Sequence, residues 1–453
     1  MKKIKIIAIL AALSCMFASG CTSEENRTES EQYSRINPAP VHSAAAAETI
    51  PDAPKLPELT KTSGLPDYLA YAALNNPGLR AEFEKWKASE EQIAQAKSLA
   101  DPVLSYGYAT EPTPQRSMFD VMQMFPWFGT IEARTDAASA MAKSAGKQYE
   151  AKKLALFYEV KQAFYEYGYL ARSVEITREN LELLRHFEEV VRIKYTTSTT
   201  THPDVIRTQI ELAKLENELI SMERQRPAVI AKLNSILNRP ALSDLPWPKA
   251  PQYKQVSIDS QKLVALATEN NPELKALGHD IEAAESNQRL AEKRFYPEFG
   301  IGVGVDAGMG ENMDSRTMPK IQLTLPIWRE NYKAAQRQAE AQSRQASQEK
   351  IQLVNTLAAN IRKVLYEFEN SSREIVLYRD VIIPKTKELL MASETAYQAG
   401  TVDFLNLIDA QRTLLEYRLD YERAVADNAR QLAGLEMLAG APLTTSEKDS
   451  ATP

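Results

Sequence analysis

Asn75-Asn76-Pro77-Gly78-Leu79 returns 195 residues later as Asn270-Asn271-Pro272-Glu273-Leu274. Working outward from that pair, Pro102 maps onto Pro297 at the same offset, Pro126 onto Pro326 at an offset of 200, and Gln209 and Pro240 onto Gln411 and Pro442 at 202. The order of features is the same in both halves. A period this long excludes a solenoid and reads as one duplicated module of roughly 200 residues.

Within each module the apolar period switches from helix to strand and back. A helical pattern from about Leu65 to Ala100 stops at Asp101-Pro102, because proline lacks a donor and disfavours helix in the residue before it. Leu104, Tyr106 and Tyr108 then alternate with Ser105 and Gly107. In the second copy Phe299, Ile301, Val303 and Val305 alternate with Gly300, Gly302, Gly304 and Asp306. Period two with one apolar and one small or polar face marks a strand. Returning strands are expected at Ser117 to Phe125 and Met318 to Leu325, where Ile321, Leu323 and Leu325 oppose Lys320, Gln322 and Thr324. Each pair makes a hairpin whose loop is rich in Pro or Gly.

After each hairpin comes a helical pattern of unusual length, from about Ile131 to Tyr195 and from about Tyr332 to Ala399, with Pro384 its one strong interruption. About 65 residues at 1.5 Å each would span on the order of 100 Å, which suits coiled-coil packing rather than a globular domain. Turns follow at Thr196 to Pro203 and Gly400 to Asp403, where Gly400 suits the left-handed position beyond a helix C-terminus, and the returning helices run to about Asn238 and Ala439.

Outside these modules the chain begins with Lys2, Lys3 and Lys5, an apolar run from Ile6 to Phe17, and Ala18-Ser19-Gly20-Cys21, the three-part form of an export signal. Small residues before Cys21 resemble a bacterial lipobox, which implies acylation of that thiol. The expected division is a signal peptide at 1–20, a lipidated tether rich in Ser, Glu, Pro and Ala at 21–63, a first repeat at 64–240 with its β-hairpin at 103–125, a second repeat at 241–442 with its hairpin at 298–325, and a tail at 443–453.

Composition narrows the function. Lys and Arg number 54 against 60 Asp and Glu, a formal charge of -6, so there is no basic excess to neutralise nucleic-acid phosphates. Two Cys and four His lie scattered without metal-ligand spacing, and GxSxG, P-loop and GxGxxG motifs are lacking. Neither an enzyme, a resident cofactor nor a metal centre is expected.

Beyond the leader no apolar run is long enough for a transmembrane helix, whereas strands of about nine residues match a tilted crossing of the hydrocarbon. Four strands cannot close a barrel, and an open edge in lipid strands its backbone groups. Two, three or four chains, giving roughly 8, 12 or 16 strands, would each satisfy this constraint.

The residues resemble the TolC-type outer-membrane efflux proteins, most specifically in Gly400-Thr401-Val402-Asp403-Phe404-Leu405-Asn406-Leu407-Ile408-Asp409-Ala410-Gln411 and in Phe125-Pro126-Trp127-Phe128-Gly129. The resemblance implies a mainly α fold with a β-barrel part: a duplicated helix-hairpin-helix module forming a long α-helical barrel joined to a transmembrane barrel of 12 strands shared by a homotrimer. It also implies a passive duct in outer-membrane lipid, extending into the periplasm and docked to a periplasmic adaptor and an inner-membrane pump of the resistance-nodulation-division type. The strand exits look nearer to the heavy-metal branch, the CusC and CzcC type, than to the drug or protein-export branches. The competing class is a lipid-anchored periplasmic coiled-coil scaffold with no conducting pore.

In that family a tyrosine and two aspartates close the periplasmic end. Aligned on Gly400, the tyrosine matches Tyr397, the second aspartate Asp409 and the first Asn406, with Asp403 one turn away as a substitute acid and the family's gate arginine replaced by Val402. Asp204 is the equivalent acid of the first half. Each has a plainer role open to it: Asp403 as a helix N-cap, Asp204 as a first-turn acid, Tyr397 and its counterpart Tyr195 as packing residues. Met118, Met122 and Met124 share one strand, and Met309, Met313 and Met318 flank the second hairpin loop; thioethers suit Cu(I) or Ag(I), while methionine on a membrane strand is also ordinary apolar filler.

Overall fold

The computed structural model describes residues 59–443, apart from 61, 111–114, 250, 254, 257 and 309–315. The expected leader, Cys21, nearly all of the tether, residues 444–453 and the loop residues Met309 and Met313 lie outside the described residues.

In chain order the elements are α1 (Leu65–Asn75), α2 (Pro77–Lys97), β1 (Val103–Tyr108), β2 (Gln115–Phe125), α3 (Thr130–Thr196) and α4 (His202–Ile236). The second half repeats them as α5 (Ser260–Asn270), α6 (Pro272–Lys293), β3 (Glu298–Gly308), β4 (Arg316–Thr324), α7 (Arg329–Leu377), α8 (Ile383–Gln398) and α9 (Phe404–Ala439).

Leu65 to Ala100, read as one helical pattern, is two helices. Pro77 pushes Asn76 out of the helical region, to ψ 120, and the chain restarts with proline in its first turn. Asn76 and Asn271 explain why this motif recurs. The Oδ1 of Asn76 accepts from the Leu79 N–H at 2.9 Å, while its Nδ2 donates to the Ile236 carbonyl at 2.9 Å, at the end of α4. Asn271 caps α6 through the N–H groups of Glu273 and Leu274 and donates to the Leu438 carbonyl at 3.0 Å, at the end of α9. Each asparagine therefore satisfies an orphan donor of one helix and an orphan carbonyl of another, closing its own half.

α3 is 67 residues long, on the order of 100 Å. Its counterpart bends its hydrogen-bond ladder: between α7 and α8 lies a π turn, Tyr378–Ile382, where the Ile383 N–H reaches five residues back to the Tyr378 carbonyl. Pro384 has no N–H to offer, and widening the preceding turn absorbs the missing bond and the ring clash.

The halves meet along α3 and α9, in register through Lys161–Glu436 (2.6 Å), Arg423–Glu166 (2.8 Å) and Arg418–Glu179 (2.7 Å). Partly exposed ion pairs of this kind add little stability but set alignment. Burial supplies the energy. One cluster unites Leu184 and Phe187 of α3, Val205 of α4, Leu390 and Tyr397 of α8, and Phe404 and Leu407 of α9, so the far ends of all the long helices share one core.

The strands form one antiparallel sheet in the order β1-β2-β3-β4, with β1 and β4 as its edges. They are 6, 11, 11 and 9 residues long, so β1 falls short of the uniform nine expected.

Gly440, at φ +70, ends α9; a Cβ there would lie 2.6 Å from the Asn270 carbonyl oxygen. Gly400, at φ +76, ends α8 with nothing within 4 Å of the same position. Gly400→Ala should thus cost only the left-handed backbone preference, about 1 kcal/mol, whereas Gly440→Ala should destabilise more because it also pries α9 from α5. Thermal melts of the two variants check the order; equal losses would contradict it.

Candidate functional site

Register assigns every strand side chain to a face. Leu104 pairs with Val121, Tyr106 with Phe119, Val121 with Val303, Phe125 with Phe299 and Ile301 with Ile321. These residues make one continuous apolar face that is largely exposed, reaching 85% at Ile321. The other face carries Ser105, Gly107, Asp120, Gly300, Gly302, Gly304, Asp306, Lys320 and Gln322, together with Val103, Met118, Met122, Met124 and Met318. The Lys320 ammonium pairs with the Asp120 carboxylate across Gly304, where a Cβ would stand 2.8 Å from Lys320 Cε. That close approach explains glycine at 304. An apolar face toward lipid and a small, polar face toward water is the arrangement of a barrel wall.

Where strands give way to helices the side chains are aromatic. Trp127 stacks on Tyr296 at 5.2 Å and Phe125 on Phe299 at 5.6 Å, with Phe128 and Trp328 exposed beside them. Amphipathic rings at this level suit a membrane-water interface. Among the described residues no helix is long and apolar enough to cross a membrane.

At the opposite end, α3 turns into α4 and α8 into α9, and the structure brings both turns together. Tyr397 is 5% exposed and packs on Phe404 with ring centroids 5.4 Å apart. Its hydroxyl donates to Thr200 Oγ1 at 3.3 Å, and that hydroxyl donates in turn to Asp204 Oδ2 at 3.0 Å. Burial chiefly, and then the nearby Asp204 charge, raise the Tyr397 pKa against the Thr200 contact, so the phenol stays neutral. Tyr195, its counterpart in the repeat, is 44% exposed beside His202.

Lys194 joins the turns as well, a residue that sequence reading passes over. Its Nζ donates to the carbonyls of Tyr397 (2.6 Å) and Gln398 (3.0 Å) and lies 4.6 Å from the Tyr397 ring centroid. A cation on the last carbonyls of α8 meets the negative end of that helix. Its sequence signal, a lysine in the last turn of a long helix, is too common to single out.

The acids divide. Asp204 faces inward, accepting from Thr201 Oγ1 (2.7 Å) and the Thr201 N–H (3.3 Å) as the third residue of α4. Burial raises its pKa, but the Thr201 and Thr200 hydrogen bonds, with Arg207 at 3.8 Å, outweigh that and hold the carboxyl below its ordinary value of 3.8. Asp403 takes the N-cap position of α9 but makes no side-chain cap bond. Asp403, Asn406 and Asp409 are all exposed, three residues apart on one stripe, while Phe404, Leu407 and Ile408 fill the core behind them. Val402 is half-buried against that core.

Midway along the helices a cleft of about 1190 Å³ lies where residues 241–259 cross between the halves. Arg172, Arg178, Arg226 and Arg379 line it, but they pair with Glu422, Glu223, Asp244 and Asp380. It is a structural joint: Leu245 is fully buried, its carbonyl accepts from Tyr167, and Trp247 stacks on the Tyr167 ring.

A sheet of two unlike faces carried on a duplicated helical body matches the family model described as outer membrane efflux protein, over residues 69–239 and 263–441. The chain belongs to that family. It is an efflux channel subunit of the outer membrane that extends into the periplasm, and not an enzyme. Channels of this type are trimers that work with an adaptor and an inner-membrane pump. The efflux protein is 23% identical over 193 residues to toxin and drug export protein A of Aggregatibacter actinomycetemcomitans, a match spanning 42% of each chain. With the cobalt-zinc-cadmium resistance protein CzcC of Cupriavidus metallidurans it shares 21% identity over 367 residues, 78% of this chain and 84% of that protein. Its fold is that of VceC from Vibrio cholerae, at a TM-score of 0.71 and 16% identity, covering 84% of this chain and 96% of that one.

Because the Asp204 pKa is depressed on folding, its contribution is present in full above the unfolded value near 3.8 and fades as pH falls through the lower folded value. Amide exchange in the 197–205 turn should therefore be protected equally at pH 7 and pH 5, with protection falling only below about 4. Asp204→Ala should loosen the same amides at neutral pH by about 1 kcal/mol. A loss of protection already at pH 6 would point to another group.

Proposed function

We propose that three copies of the chain close one barrel of 12 strands around water, and that the duct carries heavy-metal cations outward from a periplasmic adaptor and a resistance-nodulation-division pump. The carrying observation is the sheet: apolar and exposed on one face, polar on the other, and open at both edges. Both edges need strand partners before lipid can surround them. Similarity across most of the chain to a cobalt-zinc-cadmium resistance protein supports the choice of cargo class.

The division into leader 1–20, tether 21–63, repeats 64–240 and 241–442 and tail 443–453 belongs to the same reading. Acylation of Cys21 would add a second hold on the membrane beside the barrel.

The joined turns form the periplasmic aperture. Lys194 and the chain Tyr397–Thr200–Asp204 bind the α8–α9 turn to the α3–α4 turn within one protomer and so keep the tips closed. The stripe of Asp403, Asn406 and Asp409 lines the constriction, where three copies make a ring of carboxylates that draws cations in. Asp204 acts as the anchor of the lock rather than as part of that ring.

Purified trimers in planar bilayers test each part. Discrete conductance steps and a trimer that survives unheated gels are expected; a lone, non-conducting rod would end the duct reading. Lys194→Met with Tyr397→Phe should raise the open fraction about tenfold, since a hydrogen bond from a charged donor contributes about 1.5–3 kcal/mol. Asp403→Asn with Asp409→Asn should lower cation-over-anion selectivity several-fold in the reversal potential. Unchanged selectivity would remove both from the constriction.

A further inference from the structure

Methionine is distributed unevenly over the sheet. Met118, Met122 and Met124 of β2 and Met318 of β4 all lie on the face of Gly300, Gly302 and Gly304, directly opposite Asp306, Gly302, Gly300 and Gly304 in register. The apolar face is built mainly from Leu, Tyr, Phe, Val and Ile, with Ser117, Gln123, Thr317 and Pro319 among them, and carries no methionine among the described residues. If methionine served here as apolar filler, lipid would be its natural side. A water-facing wall gives no packing reason to choose it.

Two of the four turn their sulfurs toward one point. The position a Cβ would take on Gly300 is 2.6 Å from Met124 Sδ and 3.1 Å from Met122 Sδ, and Met122 Sδ also lies 3.0 Å from the corresponding point on Gly302. Both thioethers thus fold into one hollow that exists because residue 300 has no side chain. The neighbour across that hollow, Gln322, is neutral. Lys320 leans away, its ammonium engaged with Asp120 over Gly304 and 3.9 Å from Met118 Sδ. Met118 therefore sits beside a cation, and the Met122–Met124 pair does not.

We propose that Met122 and Met124 form a soft-cation contact site on the barrel wall, one per chain, for Cu(I) or Ag(I). Thioethers are soft donors that select such ions, whereas cobalt and zinc prefer imidazole, carboxylate or thiolate. Two neutral sulfurs bind without a compensating charge, which keeps the hold weak enough for release, as conduction requires. The site deepens the metal-duct reading and rests on that reading's assignment of this face to the pore.

Silver nitrate in chloride-free buffer is the probe, applied to the full-length trimer in detergent by equilibrium dialysis and in planar bilayers by block of nitrate-salt conductance. Expected are about one silver ion bound per chain at micromolar concentration and a partial block, with zinc nitrate at the same concentration giving neither. Met122→Leu with Met124→Leu, close in volume, should weaken binding and block at least tenfold. Gly300→Ala keeps every sulfur but fills the hollow and should do the same, which covers the case in which the double variant fails to assemble. Silver held by cysteine or by the other methionines is common to all variants and cancels in the comparison. Binding and block unchanged in both variants, or absent from the parent, would overturn the proposal. A trimer that conducts without silver yet ignores it would overturn the site alone, whereas one that does not conduct at all would overturn the duct.

Discussion

A peptide group facing hydrocarbon without a hydrogen-bond partner costs several kcal/mol, and that single penalty governs this molecule. The four-stranded sheet satisfies its inner ladders but leaves β1 and β4 as edges. Adding strands within the chain would remove the edges at the expense of the repeat, since among the described residues each half supplies one hairpin. Association with identical copies removes them while keeping every hairpin equivalent. Oligomerisation is thus a consequence of backbone chemistry rather than an added property.

The same economy runs through the helical body. Asn76 and Asn271 each bridge the start of one helix and the end of another, so a returning helix of about 50 Å ends within hydrogen-bond reach of the helix that leads into its own hairpin. The two halves then diverge where function begins. Tyr397 is buried in the lock and Tyr195 is exposed; Asp204 is bound by Thr200 and Thr201 while the acids of the second half stand free on the surface of α9. A symmetric tip would place equal locks on both turns. The two turns thus differ in how their tyrosines are held, although the sequence repeat makes them equivalent.

Much of this architecture could be read from residue patterns. Period-two alternation in Phe299 to Asp306 located a strand and its faces, and the repeated Asn-Asn-Pro located the duplication, because both follow from local sterics. Position along a helix is equally local, which is why the long helices, the turns and the left-handed Gly400 emerged where expected. Contacts between segments far apart in sequence were not legible. Lys194 reaches Tyr397 across 203 residues, and nothing in either segment announces the other. The break at Asn76 and the π turn before Pro384 were signalled by proline, yet whether a proline ends, restarts or merely widens a helix depends on what packs around it. For methionine, alternation in β2 fixed a shared face but not which face, since β2 carries Asp120 beside the methionines and Ser117 and Gln123 on its other side.

Hard and soft donors occupy opposite ends of the proposed path. Carboxylates at the helical tips act through charge, so they concentrate cations of any kind and respond to ionic strength. Sulfurs on the strand wall are uncharged and discriminate by polarisability, an interaction that salt does not screen. Selection at the tips alone would be coarse, and a charged selector in the barrel would compete with the Asp120–Lys320 pair that already crosses Gly304. Placing the discriminating contact on uncharged sulfurs allows a soft ion to be recognised without a charge on the ligand that would hold it. On this arrangement the glycines are as much a part of the site as the thioethers, because they make the hollow into which the sulfurs fold.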